Sequence, residues 1–363
     1  MVLFQTRISL LIISILLGLI SIPCIENSAL GQNNPTNNPT VKQNNAATYP
    51  ASAPPTRVDP LPDDRDVLER QEETDYRISK LLKDFTGNLW VASWRGLSRI
   101  DPNTGNTISR VSLPNVIIDA LAQDKVGRLW VGNSQGLTRV DPRTNEITAQ
   151  NLLLPSKRVL SLVVDKRGYL WTGTDAGLVL VSPDEGLIMT TVKNLPGVSA
   201  NTMTLDADGQ LWVGTLDGLV KVNTANGLIM ERIDNLPGGM VQALTISPEG
   251  LIWAGMPNQL LVINPKTGIV MRSVTPLRGK NVTSISFAQD GSVWVGTSNG
   301  LLRLNPYTGA LLDRVAGLPS SRVLTIAPDV GNKLWIGTSE GLAWLMPKME
   351  QARPHFGFGR SVK

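Results

Sequence analysis

Residues 127–142 read GRLWVGNSQGLTRVDP, and the phrase returns as GYLWTGTDAGLVLVSP at 168–183 and GQLWVGTLDGLVKVNT at 209–224. Four further copies lie at 87–102, 250–265, 291–306 and 332–347. Their tryptophans, Trp90, Trp130, Trp171, Trp212, Trp253, Trp294 and Trp335, are spaced 40 residues apart once and 41 apart thereafter. A second marker keeps the same step: Leu113, Leu154, Leu195, Leu236, Leu277 and Leu318, usually followed by proline. Self-similarity at a fixed period of this length marks a repeat architecture.

Within a unit the local signals are all strand and turn. In the second copy, residues 116–123 predict a first strand and 124–127 a tight turn, with a second strand over 128–133. Gly136 sits where a turn tolerates positive φ. A third strand over 137–140, a turn at 141–144 and a fourth strand over 146–152 complete the unit. No window after residue 76 keeps helical periodicity beyond ten residues. Four short antiparallel strands per unit match one propeller blade. The repeated Trp is expected to fill the wedge between adjacent sheets, and the repeated Gly to free the next turn from Cβ strain. The expectation is an all-β, seven-bladed β-propeller with four-stranded antiparallel blades over residues 76–363. An open solenoid is the alternative, but four strands per unit and the lack of a distinct capping repeat favour a closed ring. Two segments compete to close it: 353–359 from the C-terminal side, or 56–62 (TRVDPLP), which reads like the fourth strand at 109–114.

The rest of the composition narrows the chemistry. The 363 residues contain one His and one Cys, too few for a His-based metal cluster, a Cys-rich zinc site or an internal disulfide. No metal or other cofactor is expected. Residues 1–31 read as a signal peptide or N-terminal anchor: Arg7 precedes an apolar run over 8–23, short for a membrane span, and Ala29-Leu30-Gly31 offers a cleavage site. Membrane contact is expected only through this segment, if it is retained. Residues 32–56, rich in Asn, Pro, Thr and Ala, read as a disordered linker. Residues 57–75 form an acidic arm with eight acids against two arginines after Arg57, whereas 76–363 carry 29 basic and 21 acidic side chains. The location implied is exported, in the periplasm or cell envelope. Nucleic acid is a poor partner for an exported chain without an aromatic-interleaved basic stretch.

The consensus D-x-x-G-x-L-W-V-G-T-x-x-G-L-x-R-x-D-P resembles the two-component regulator propeller repeat of periplasmic ligand-binding sensor propellers. That resemblance implies a non-catalytic, sensor-like propeller. The chain ends 28 residues after Trp335, so the expected output is a separate protein, a sensor kinase or an envelope protein. A periplasmic assembly scaffold is the alternative function. More distantly, the phrase is similar to that of streptogramin-lyase-like propellers, whose C–O lyase chemistry implies a general base His. Here the only His, His355, falls outside every phrase, which disfavours that reading.

Candidate site residues come from positions that differ between repeats, since sameness serves the blade. At the start of the inner strand stand Arg77, Arg158, Asn281 and Arg322 in four of the blades. Two residues further on come Asp119, Asn201 and Gln242. Arg77 and Arg322 begin neighbouring blades, with Arg158 expected across the channel. Lys80, Arg95, Arg278 and Lys280 are expected on the same face, and Trp94, off the 41-residue register, is available for stacking. A basic mouth lined by Asn and Gln focuses an attractive field, and Arg grips carboxylate or phosphate bidentately. The expected ligand is an anionic small molecule or an acidic protein surface. The turn-opening aspartates, including Asp206-Ala-Asp208-Gly209, lack the further oxygen ligands of a calcium loop and read as scaffold.

Overall fold

A computed structural model describes residues 75–359 apart from 114, 115, 152 and 348. The predicted signal segment, linker and candidate closing strand at 56–62 lie outside the described residues, as does the acidic arm except Asp75. The chain divides into Met1–Leu61 and Pro62–Lys363, and all described residues belong to the second unit.

Among the described residues twenty-eight strands form seven four-stranded antiparallel sheets, each with its strands in chain order. Blade 2 consists of Ile118–Gln123, Leu129–Asn133, Gly136–Asp141 and Glu146–Asn151, all within two residues of the sequence expectation. Blade 7 takes its fourth strand, Arg353–Gly359, from the C-terminal side. That decides between the two closing segments as far as this sheet is concerned. Among the described residues no helix is long and apolar enough to cross a membrane.

The core is divided among the wedges. Trp171, Leu178 and Leu195 of blade 3 pack on Ala200, Leu211 and Val213 of blade 4, and equivalent clusters join each further pair of neighbours. The seventh cluster packs Trp335 and Val330 of blade 7 on Ile78 and Leu89 of blade 1, so the ring closes. Removing a ring this size from water contributes several kcal/mol per wedge, which makes Trp the natural repeated residue. A second glycine, in Trp-Val-Gly, permits the approach. A Cβ on Gly214 would lie 2.7 Å from Val241 Cγ1 of the next blade, and one on Gly132 would lie 2.4 Å from Val159 Cγ1.

The turn aspartates are tied into this scaffold. Asp124 Oδ1 accepts from the backbone N–H of Val126 and Arg128, while Oδ2 accepts from Trp130 Nε1 at 3.0 Å and Arg128 Nε at 2.6 Å. Asp206 likewise accepts from Gln210 N and Trp212 Nε1 and pairs with Lys221. A third-strand cation covers the ring: Arg139 lies over Trp130, Lys221 over Trp212 and Arg303 over Trp294.

Alternating strand direction gives the disc two unlike faces. Loops joining strands 1 to 2 and 3 to 4 emerge on one, called the turn face. Loops joining strands 2 to 3, and the connections between blades, emerge on the other, called the mouth face.

Candidate functional site

The inner strands of blades 1 to 3 bring four of the expected residues together at the mouth. Lys80 lies on the first strand of blade 1 and Asp119 on the first strand of blade 2, both partly buried. Burial pushes the Asp119 carboxyl above its usual range, against the opposing pull of Lys80, Arg158 and Arg77. Burial also pushes the Lys80 ammonium below its usual range, partly offset by Asp119. Both members of an attracting pair are therefore shifted toward neutrality, because desolvation outweighs their attraction. Arg77 and Arg158, on blades 1 and 3, both act on the Asp119 carboxylate of the blade between them.

Blades 4 to 6 use the equivalent positions differently. Asn201 Nδ2 donates to Val241 O of the next blade at 3.3 Å, and its Oδ1 accepts from Ser199 Oγ. Gln242 Nε2 donates to Asn281 Oδ1, again across a blade boundary. Thr283 Oγ1 donates to Val323 O at 2.7 Å. The amides thus staple neighbouring inner strands in blades 4 to 6, whereas Lys80 and Asp119 lie on blades 1 and 2.

Around the rim, Trp94 is 39% exposed, with the Arg95 guanidinium 4.8 Å from its ring centre. Trp94 borders two depressions. One, of 230 Å³, is shared with Asp75, Arg77 and Ile117. The other, of 260 Å³, is shared with Tyr76, Arg95, Arg110 and Phe356. Arg110 and Phe356 were not singled out from sequence. Phe356 lies outside every repeated phrase, and Arg110 sits on an outer strand whose residues vary from blade to blade. Arg278, Lys280 and Arg322 occupy the connections into blades 6 and 7, with Arg278 and Arg322 exposed.

Pairing distinguishes the faces. Seven of the eight ion pairs among the described residues lie on the turn face. The exception is Arg77 with Asp75 at 3.4 Å, both about half exposed. Arg95, Arg158, Arg278, Lys280 and Arg322 have no carboxylate within salt-bridge distance among the described residues. The mouth face therefore presents guanidinium groups without a salt-bridge partner near the partly buried Asp119 and an exposed indole, and it also carries the exposed carboxylates Asp175, Asp217, Asp234 and Glu340 on other loops.

His355 lies elsewhere. It is buried at the seam of blades 7 and 1, where Nε2 donates to Gly105 O at 2.8 Å and Nδ1 accepts from Gly357 N–H at 3.1 Å. That pattern requires the neutral ring, and burial pushes its pKa below the usual imidazole value.

Comparisons with known proteins agree with the repeat reading. Residues 112–135, 153–176, 194–217 and 276–299 match the family described as two component regulator propeller. These matches fall at blades 2, 3, 4 and 6. The fold is similar to the extracellular domain of BT4673 from B. thetaiotaomicron, described as a one-component and also as a hybrid two-component system. The one-component structure gives a TM-score of 0.65 at 21% identity over 75% of this chain. This chain spans 38% of the length of that BT4673 chain. The fold is also similar to a catalytically inactive virginiamycin B lyase from Staphylococcus aureus with quinupristin, with a TM-score of 0.65 at 16% identity. That match covers 75% of this chain and 95% of the lyase. At these identities the likeness concerns the fold alone. No curated protein matches the chain.

Proposed function

We propose that this protein is an exported, sensor-like propeller without catalytic activity that captures an anionic small molecule at its mouth and acts through a separate output protein. One observation carries the reading: seven of the eight ion pairs among the described residues lie on the turn face, whereas Arg95, Arg158, Arg278, Lys280 and Arg322 on the mouth face have no carboxylate within salt-bridge distance. Unpaired guanidinium groups at a concave opening focus field toward an anion and can bind it bidentately. The shifted pair of Lys80 and Asp119 disfavours folding, and a cost of that kind clusters at functional sites. Trp94 supplies a stacking surface beside them.

Two further points support the reading. The matched repeat type is one named for regulators, and BT4673 is an extracellular domain of a signalling system. His355 has both ring nitrogens engaged on the turn-face side of the blade 7 seam, which argues against a lyase-type base at the mouth.

A thermal-shift and calorimetric screen of the full chain against phosphate and di- and tricarboxylates tests this. At least one anion should raise the melting temperature, by an amount corresponding to about 2.7 kcal/mol at 100 times its Kd. Arg77→Ala with Arg158→Ala and Arg322→Ala should remove that response while leaving the unliganded melt within about 4 °C. Binding that survives the triple replacement, or stabilisation only by an acidic protein surface and by no small anion, would count against the assignment.

A further inference from the structure

The fourth strand of each of the first six blades is irregular near its start, and in three consecutive blades that place is apolar and exposed. In blade 3, Val181 pairs with Ile188 and Leu180 with Thr190, so Met189 is the extra residue of a β-bulge. Blade 4 skips Met230 and blade 5 skips Met271 in the same way. A bulge re-aims the side chain it adds, and each of these methionines is more than half exposed. Two residues before them stand Leu187, Leu228 and Ile269, which are more exposed still. Blades 1, 2 and 6 have the bulge too, at Ile108, Thr148 and Leu312, but place Asn106, Glu146 and Ala310 at the earlier position.

The three apolar pairs adjoin along the rim. A Cβ on Gly227, in the turn entering strand 4 of blade 4, would lie 2.9 Å from Thr190 Cγ2 of blade 3. One on Gly268, at the same turn of blade 5, would lie 3.6 Å from Ile233 Cγ1 and 3.9 Å from Glu231 Oε1 of blade 4. Met189 and Leu228 are chain neighbours of the first contact, and Met230 and Ile269 of the second. Six large side chains in one stretch exceed the few hundred Å² of apolar patch that a monomer ordinarily leaves in water. Charge, the usual guard of a sheet edge, is absent from these positions and stands at the two ends instead. The turn before each pair reads Asp184-Glu185 in blade 3, Ala225-Asn226 in blade 4 and Lys266-Thr267 in blade 5, so charge runs from negative through neutral to positive. Asp184 pairs with Arg128, but Glu185 and Lys266 are exposed and form no ion pair among the described residues.

We infer that this stripe is the interface of a two-fold symmetric dimer, with a second copy of this chain as its partner. A two-fold contact joins a surface to itself in reverse order, so it needs a patch with complementary ends and a middle that matches itself. With the axis at blade 4, Met230 meets Met230 of the partner subunit, and Glu185 faces Lys266 of the partner subunit on both sides of the axis. Methionine is enriched at protein interfaces, and its flexible thioether can pack against its own copy. With the turns that flank it, the stripe offers on the order of 800 Å², the share of each partner in a standard interface. An anionic lipid surface fits less well, because Asp184 and Glu185 would be repelled by it. The stripe lies at the rim beside the turn face and does not depend on the reading proposed for the mouth.

Light scattering on the full chain at about 50 µM should report a dimer, and sedimentation velocity should give its dissociation constant. Met230→Glu sets two carboxylates against each other at the axis and should leave a monomer with an unchanged circular dichroism spectrum. Glu185→Lys and Lys266→Glu should each raise the dissociation constant roughly tenfold, because every dimer then holds two like-charged contacts. Both changes in one chain should bring it back to the wild-type value, which keeps the test open if Met230→Glu impairs folding. A wild type that stays monomeric at about 200 µM, a dimer that Met230→Glu leaves intact, or a combined charge variant no tighter than the single ones would each overturn the assignment. So would a monomer that binds phosphatidylglycerol vesicles and loses that binding in Met230→Glu, since the stripe would then face a membrane.

Discussion

The two faces of the disc draw on the same residue types and use them in opposite ways. On the turn face, arginines and lysines meet aspartates and backbone carbonyls, cover tryptophans and link one blade to the next. On the mouth face, arginines stand with little or no pairing, and the partly buried Lys80 and Asp119 are both pushed toward neutrality. The first arrangement satisfies buried polar groups and strengthens the fold; the second leaves charge available and weakens it. Cation content alone therefore says little about a surface. What matters is whether each charge already has a partner.

Breaking the turn face should have the largest effect. Asp124→Ala removes the acceptor of the Arg128 and Trp130 donors and of two backbone N–H groups, and should cost about 3 kcal/mol of unfolding free energy. Urea denaturation measures it, and anion binding at the mouth should not change. A loss under about 1 kcal/mol would show that the turn network is not what holds the blades.

The mouth should respond in the other direction. Lys80→Met removes a charge that burial disfavours and should raise stability by up to about 1 kcal/mol while weakening anion binding. The pH profile sharpens the point. With the folded pKa of Lys80 depressed, the unfolded chain holds this proton more tightly, so the wild type should gain stability as pH rises toward the ordinary lysine value of about 10.4. The Lys80→Met variant should lack that gain. A destabilised variant would mean that the ammonium anchors the inner strands rather than waiting for a ligand.

The smallest effect is expected at the seam. His355 must stay neutral to accept from Gly357 N–H, and its folded pKa lies below the ordinary value. Its contribution is complete above about pH 6.5 and is lost as pH falls toward the depressed folded value, because the unfolded chain takes the proton first. The melting temperature should therefore decline on acidification more steeply in the wild type than in His355→Gln. Parallel profiles would place the acid sensitivity in the carboxylates instead.

Much of the fold was legible because each blade repeats a local instruction. Trp130 on the second strand, Asp124 opening the turn before it and Gly136 after it state strand, turn and packing face within one unit. Register then placed Arg77, Lys80, Asp119 and Arg158 on one face without coordinates. The fate of Asn201, Gln242 and Asn281 was not legible. Their side chains join neighbouring blades, and whether an amide faces an open channel or an acceptor on the next strand depends on a few tenths of an ångström in blade spacing. The glycine of Trp-Val-Gly was likewise not singled out, because the Val241 methyl it makes room for is 27 residues away in another sheet.

By itself the sequence determined the number of blades, their four-stranded build and the face on which variable residues gather, since each of these depends on neighbours along the chain. The tertiary structure alone decided which cations are paired and which strand completes the last blade. Those outcomes are set by distances between residues one blade apart or, as with His355 and Gly105, 250 positions apart. A periodic pattern records what every blade shares, and pairing depends on how each blade meets the one beside it.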